Sequence, residues 1–137
     1  MHAYLYSGSA FATTPAGITT SIAQLQKLMA TYQISNKPIW FTEGSWDGNG
    51  SGTLTNTQKA AYIAQEYMLM WSTGAVSRCY WHSWDSQLGT LWTPSTSLTS
   101  AGTAYVQLAD WLVGSTHSTN PCSTSTDGTW TCNLRRE

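Results

Sequence analysis

Charge is what this chain has least of. Six Lys and Arg stand against seven Asp and Glu in 137 residues, so that 9% of the chain is charged, where a typical domain carries about 25%. The net charge is −1 and no cluster of basic residues occurs, which excludes the electrostatic footprint of a nucleic-acid or anionic-membrane binder. No apolar run approaches the roughly 18 residues that a spanning helix needs. No signal-peptide pattern precedes the strand-like HAYLY that follows Met1. The shortage of charge is also not a sign of disorder, because disordered chains are charge-rich and aromatic-poor.

Aromatic and small polar residues fill the gap. Eight Trp and seven Tyr bring the aromatic share to 12%, amid abundant Ser, Thr and Gly. A polar, uncharged, Trp-rich surface suits a neutral ligand, and sugars are the foremost class. Most of the tryptophans are still expected in the core, Trp40, Trp71 and Trp111 among them, because they fall on strand or helix faces. Length gives one domain with enough chain to bury a core. Of the three cysteines, Cys122 and Cys132 flank STSTDGTWT, a hairpin-like stretch turning at Asp127-Gly128. That spacing suits a disulfide and an oxidising compartment. Cys79 lies in an apolar strand and is expected as a buried free thiol.

Strand and helix patterns alternate three times. His2 to Tyr6 alternates as a strand. Ile18, Ile22, Leu25, Met29 and Tyr32 recur at helical spacing. Ser21 and Gln24 have capping-box spacing, while Pro15 suggests a start further upstream. A second strand is expected over Ile39 to Thr42, then a loop with four glycines over Gly44 to Thr53. Thr55 and Gln58 offer a second capping box for a long helix whose stripe is Ala60, Ile63, Tyr67, Met70 and Trp71. A third strand over Ala75 to Trp81, the loop HSWDSQLGTLWTPST and a helix from about Thr99 to Leu112 follow, stopped by Gly114. The order β-α-β-α-β-α implies parallel strands with helical crossovers. Three such strands leave an unpaired edge, and a complete eight-unit barrel takes about 250 residues. The expected fold is therefore α/β: about three C-terminal βα units of a (β/α)8 TIM-type barrel over 1–114, plus a polar, disulfide-hairpin-like tail over 115–137. Open edges of this kind predict a homo-oligomer, two copies hiding one another's apolar surface.

KPIWFTEGSWD, Lys37 to Asp47, carries the chemistry. A short apolar strand ends at Thr42-Glu43-Gly44, and in parallel α/β proteins side chains at a strand's carboxyl end point into the functional crevice. The other acids are few. Glu66 lies mid-helix and is expected as a solvated or paired outer-face charge, and Asp110 is likewise helical. Asp127 belongs to a turn and Glu137 to the terminus, which leaves Asp47 and Asp85 on loops expected at the same rim as Glu43. A metal set of His2, His82, Glu43 and Asp85 lacks any zinc-like spacing. Gly50-Ser51-Gly52 is not a nucleophile elbow, and DGNGSG lacks the lysine of a phosphate loop. No cofactor is implied.

Several motifs together resemble one family. KPIWFTEGSW resembles the seventh strand of clan A glycoside hydrolases, those similar to family 39 and family 5, in which the strand-end glutamate is the nucleophile. His2-Ala3-Tyr4 is similar to the His-x-Tyr of their sixth strand, which lines the sugar subsite. Arg78-Cys79-Tyr80-Trp81-His82-Ser83-Trp84-Asp85 resembles the eighth strand with its tryptophan platform, and AGTAYVQLADWLVG resembles the closing helix. The resemblance implies a retaining hydrolase of β-linked glycosides, secreted in its parent context. Glu43 would be the nucleophile, and His2, Tyr4, Trp46, Trp81, His82 and Trp84 the sugar-binding residues. The family's acid/base follows an Asn on the fourth strand, and no position here matches it. Asp85 is the better candidate within the chain, and a partner chain is the other source. The alternative expectation is a non-catalytic carbohydrate-binding or assembly fragment that uses Trp81, Trp84 and Trp46. A truncated product without its own function is a third.

Overall fold

The computed structural model describes residues 1, 14–45, 54–82, 84–85, 89–95 and 97–136. The strand expected over His2 to Tyr6, the greater part of the glycine-rich loop, and with them His2, Tyr4, Trp46 and Asp47, lie outside the described residues.

Pro15 opens a single 3-10 turn, Pro15–Gly17, that runs directly into α1, Ile18–Thr31. The fixed φ of proline suits a helix start, and this earlier start displaces the expected cap. Ser21 lies inside α1, buried, with its hydroxyl donating to the Gly17 carbonyl. Ile18, Ile22 and Met29 are buried as their spacing predicts, whereas Tyr32, expected on the same stripe, stands exposed just past the helix end. The chain then enters β1, Ile39–Phe41.

α2, Asn56–Ser72, begins at the expected capping box: Thr55 Oγ1 accepts from the Gln58 amide, and Gln58 Oε1 accepts from the Thr55 amide. Two of the orphan donors at the helix start are thereby satisfied. β2, Val76–Cys79, follows and pairs parallel with β1, Phe41 opposite Cys79. Within the expected loop and just after it, Trp92–Thr93 (β3) and Ser97–Leu98 (β4) form a small antiparallel pair. They lead into α3, Ser100–Leu112, capped by the Thr99 hydroxyl, which accepts from the Gly102 amide. Gly102 is there because nothing larger fits: a Cβ would lie 2.0 Å from the Leu91 carbonyl oxygen. That close approach lets Leu91 enter the core between α3 and the β3–β4 pair.

Among the described residues the architecture is a small α/β fold of three helices and four two-stranded sheets, one of them parallel, with no closed barrel. Phe41, Ile18, Ile22, Ile63, Met70 and Leu108 are almost wholly buried and join β1, β2 and the three helices in one core. The Met1 ammonium donates to the Trp40 carbonyl and the Met1 carbonyl accepts from the Thr42 amide. Trp40 and Thr42 turn these groups away from β2, so Met1 lies along the opposite edge of β1. The outer edge of β2 has no strand beside it among the described residues.

Two expected core tryptophans are on the surface. Trp40 alternates out of β1 and is 45% exposed, with the Arg78 guanidinium 5.1 Å from its ring centre. Trp111 is similarly exposed on α3. Trp71 is half-buried, its ring edge-on to His117 at 4.5 Å. The cause is thickness: one face of the β1–β2 pair meets helices, and its other face carries Trp40 and Arg78 outward.

The C-terminal segment folds back onto the helices. Ser115–Thr116 (β5) pairs with Arg135–Arg136 (β8), and Cys122–Thr124 (β6) with Trp130–Cys132 (β7). The disulfide Cys122–Cys132 closes the second pair. Its turn is held by Asp127, whose carboxylate accepts from the Ser125 hydroxyl and the Thr129 amide. Those bonds, Ser125 first, keep the Asp127 carboxyl below its usual range.

Candidate functional site

Glu43 and His82 meet where the two parallel strands end. The ladder continues past β1 and β2: the Tyr80 amide donates to the Phe41 carbonyl and the His82 amide to the Gly44 carbonyl, each at 2.9 Å. This register sets the two side chains side by side, with His82 Nε2 3.3 Å from Glu43 Oε1. Neither is fully buried, at 27% side-chain exposure for Glu43 and 43% for His82. A ring N–H can thus steer one carboxylate oxygen while solvent still reaches the pair.

Trp81 forms the adjoining wall. Its indole N–H donates to the Gly89 carbonyl at 2.7 Å, and its ring packs against Tyr67 at 6.3 Å between centroids. Gly89 adopts φ +70°, and a Cβ there would meet the Trp81 ring at 2.8 Å. Glycine is required on both counts, so this residue locks the indole in place. Trp84 is exposed on the following loop, where its carbonyl accepts from the Leu91 and Trp92 amides. Asp85 beside it is exposed. The structure therefore brings Glu43 and His82 together, with Trp81 next to His82 in the chain and Asp85 exposed on the loop that follows.

A second acidic group, Glu66, lies on the buried side of its helix rather than the expected outer face. Glu66 is 1% exposed in α2, and neither carboxylate oxygen has a hydrogen-bond partner. It is not an outer-face charge. Burial raises its pKa well above the usual 4.5, so the group is held toward its neutral form. Tyr67 and Cys79 lie near enough to feel it. Burial pushes the Cys79 thiol up to about 12, and the Tyr67 and Tyr105 hydroxyls are raised by the same cause. Cys79 is a free thiol as expected, with its sulfur 3.9 Å from Met70 Sδ. The signal for Glu66 was present in the sequence: it stands three residues after Ile63 and four before Met70, on the buried stripe itself.

Among the described residues no three His, Cys, Asp or Glu side chains gather in a way that would hold a metal ion. No helix among them is long and apolar enough to cross a membrane. No family model, no curated protein and no solved structure matches this chain.

Proposed function

We propose that this chain is a glycoside hydrolase segment, the last three βα units of a clan A-type barrel, with Glu43 as the nucleophile of a retaining reaction. One observation carries the reading: Glu43 lies at the shared carboxyl end of parallel β1 and β2, with His82 Nε2 at 3.3 Å from its Oε1. In retention one carboxylate attacks the anomeric carbon and a second carboxyl, about 5–5.5 Å away, protonates the leaving oxygen. His82 orients Glu43 by donating to Oε1. Trp81, locked by Gly89, and the exposed Trp84 offer indole faces to the sugar. Asp85 supplies the proton to the leaving oxygen, and as a carboxylate it then takes a proton from the water that displaces the sugar from Glu43. The disulfide suits secretion.

The open edge of β2 belongs to the same proposal. It borders a groove of about 270 Å³ whose walls include Tyr67, Cys79, Tyr105 and Leu108. A second copy pairing there would cover it and bring a further carboxylate toward the rim. Hydrolysis of aryl β-glycosides by the wild type and by Glu43→Gln tests the assignment. Equal rates would remove Glu43 from the mechanism.

The second reading is a saccharide-binding fragment without turnover, and the exposed Trp84 indole, which can stack on a sugar without any acid, favours it. It predicts saccharide-dependent tryptophan fluorescence that is lost in Trp81→Ala, with no product formed.

A further inference from the structure

The groove between the disulfide hairpin and the helices carries a feature that the proposed active site does not use. Trp111 on α3 and Trp130 on β7 are 46% and 38% exposed, and both line one cavity of about 340 Å³. α2 supplies Gln65, Met68 and Leu69, and Gly128 at the hairpin turn completes the rim. None of these residues belongs to the Glu43–His82 rim.

We propose that this groove is a second, non-catalytic binding site for a neutral saccharide. Three properties select that ligand. No side chain lining the groove is ionisable, so an anionic or cationic ligand would lose its hydration without a partner in return. The two indoles offer flat apolar faces, which suit the C–H faces of a pyranose ring. The Gln65 carboxamide supplies two donors and an acceptor for ring hydroxyls. A wholly apolar ligand would leave that amide unserved.

The hairpin wall is also pre-shaped. The Cys122–Cys132 bridge ties its base, Trp130 is paired with Thr124, and the Asp127 carboxylate holds the turn through Ser125 and Thr129. Ligand therefore meets a Trp130 backbone that needs little ordering, which reduces the entropy cost of binding. The proposal rests on the glycoside-directed reading only for its choice of sugar polymers. A site of this kind would keep a chain on a polysaccharide while Glu43 meets one linkage.

The test follows the indole N–H signals of the full chain, in the Glu43→Gln background, by NMR. Neutral oligosaccharides from β-glucan, xylan, mannan and chitin are titrated one at a time. Trp111→Phe and Trp130→Phe assign the two groove signals without emptying the groove. The expected result is that at least one oligosaccharide shifts both groove signals, and that Trp130→Ala weakens that binding about tenfold or more. The inference falls if no oligosaccharide shifts them. It falls equally if they move with protein concentration alone, because the groove would then seat a second copy of the chain. Signals of Trp81 and Trp84, read in the same spectra, report the active-site reading separately. Their movement with silent groove signals would retain that reading and discard this one.

Discussion

Glu43 and Glu66 sit in opposite surroundings. Glu43 stands at the end of a strand, partly open to solvent, with an imidazole 3.3 Å away. Glu66 is sealed in α2 with both oxygens unpartnered. A carboxylate that must attack needs a path to substrate, and only the first has one. The second shows what the interior does to the same side chain: with no partner to stabilise the charge, burial favours the proton. The acid that burial holds toward its neutral form is thus not the one best placed for chemistry.

Several changes would break or sharpen this contrast. The largest effect is expected for Glu43→Gln, which should reduce aryl glycoside hydrolysis to background while leaving thermal unfolding unchanged. Asp85→Asn comes next. It should slow substrates with poor leaving groups by about 10²–10⁴-fold, the usual worth of a general acid, and spare those whose leaving group needs no proton. Unaltered rates on poor leaving groups would move the acid to a partner chain.

The Glu66 side of the contrast is read in stability. Glu66→Met should stabilise the chain by about 1–3 kcal/mol at neutral pH, the usual penalty of a buried unsatisfied polar group, measured by urea unfolding. The pH dependence has a definite sign. The unfolded group titrates near 4.5 and the folded one higher, so its contribution is fully present below about pH 4.5 and is lost as pH rises through the folded value. Glu66→Gln should flatten that decline. The smallest effect on hydrolysis is expected at Gly102, where Ala forces α3 away from the Leu91 carbonyl at a cost of about 1–3 kcal/mol of stability and leaves the rate otherwise intact.

What was legible in the sequence followed from local rules. Thr55 and Gln58 form their box because both partners lie within one turn, and Cys122 and Cys132 meet because a short hairpin leaves them opposite each other. The order α1, β1, α2, β2, α3 was equally plain, and so was the placing of Glu43 just past a strand end. What escaped depends on how many layers surround an element. Trp40 and Trp111 occupy positions that a thicker protein would cover, and here the described residues leave both about half exposed. The loop before α3 hid the β3–β4 pair, since two-residue strands carry no readable alternation. His82 was expected to line a sugar subsite, but its pairing with Glu43 rests on the parallel register, which periodicity does not reveal.

The central claim is that Glu43 is a nucleophile, and covalent trapping tests it without any need for the acid. A dinitrophenyl fluoroglycoside carries a leaving group that departs unprotonated: the Glu43 carboxylate would bond to the anomeric carbon as dinitrophenolate leaves. Intact-mass and peptide mapping after incubation should show one fluoroglycosyl group, attached at Glu43 and absent from Glu43→Gln. An unlabelled chain, or a label that persists in Glu43→Gln, would contradict the account.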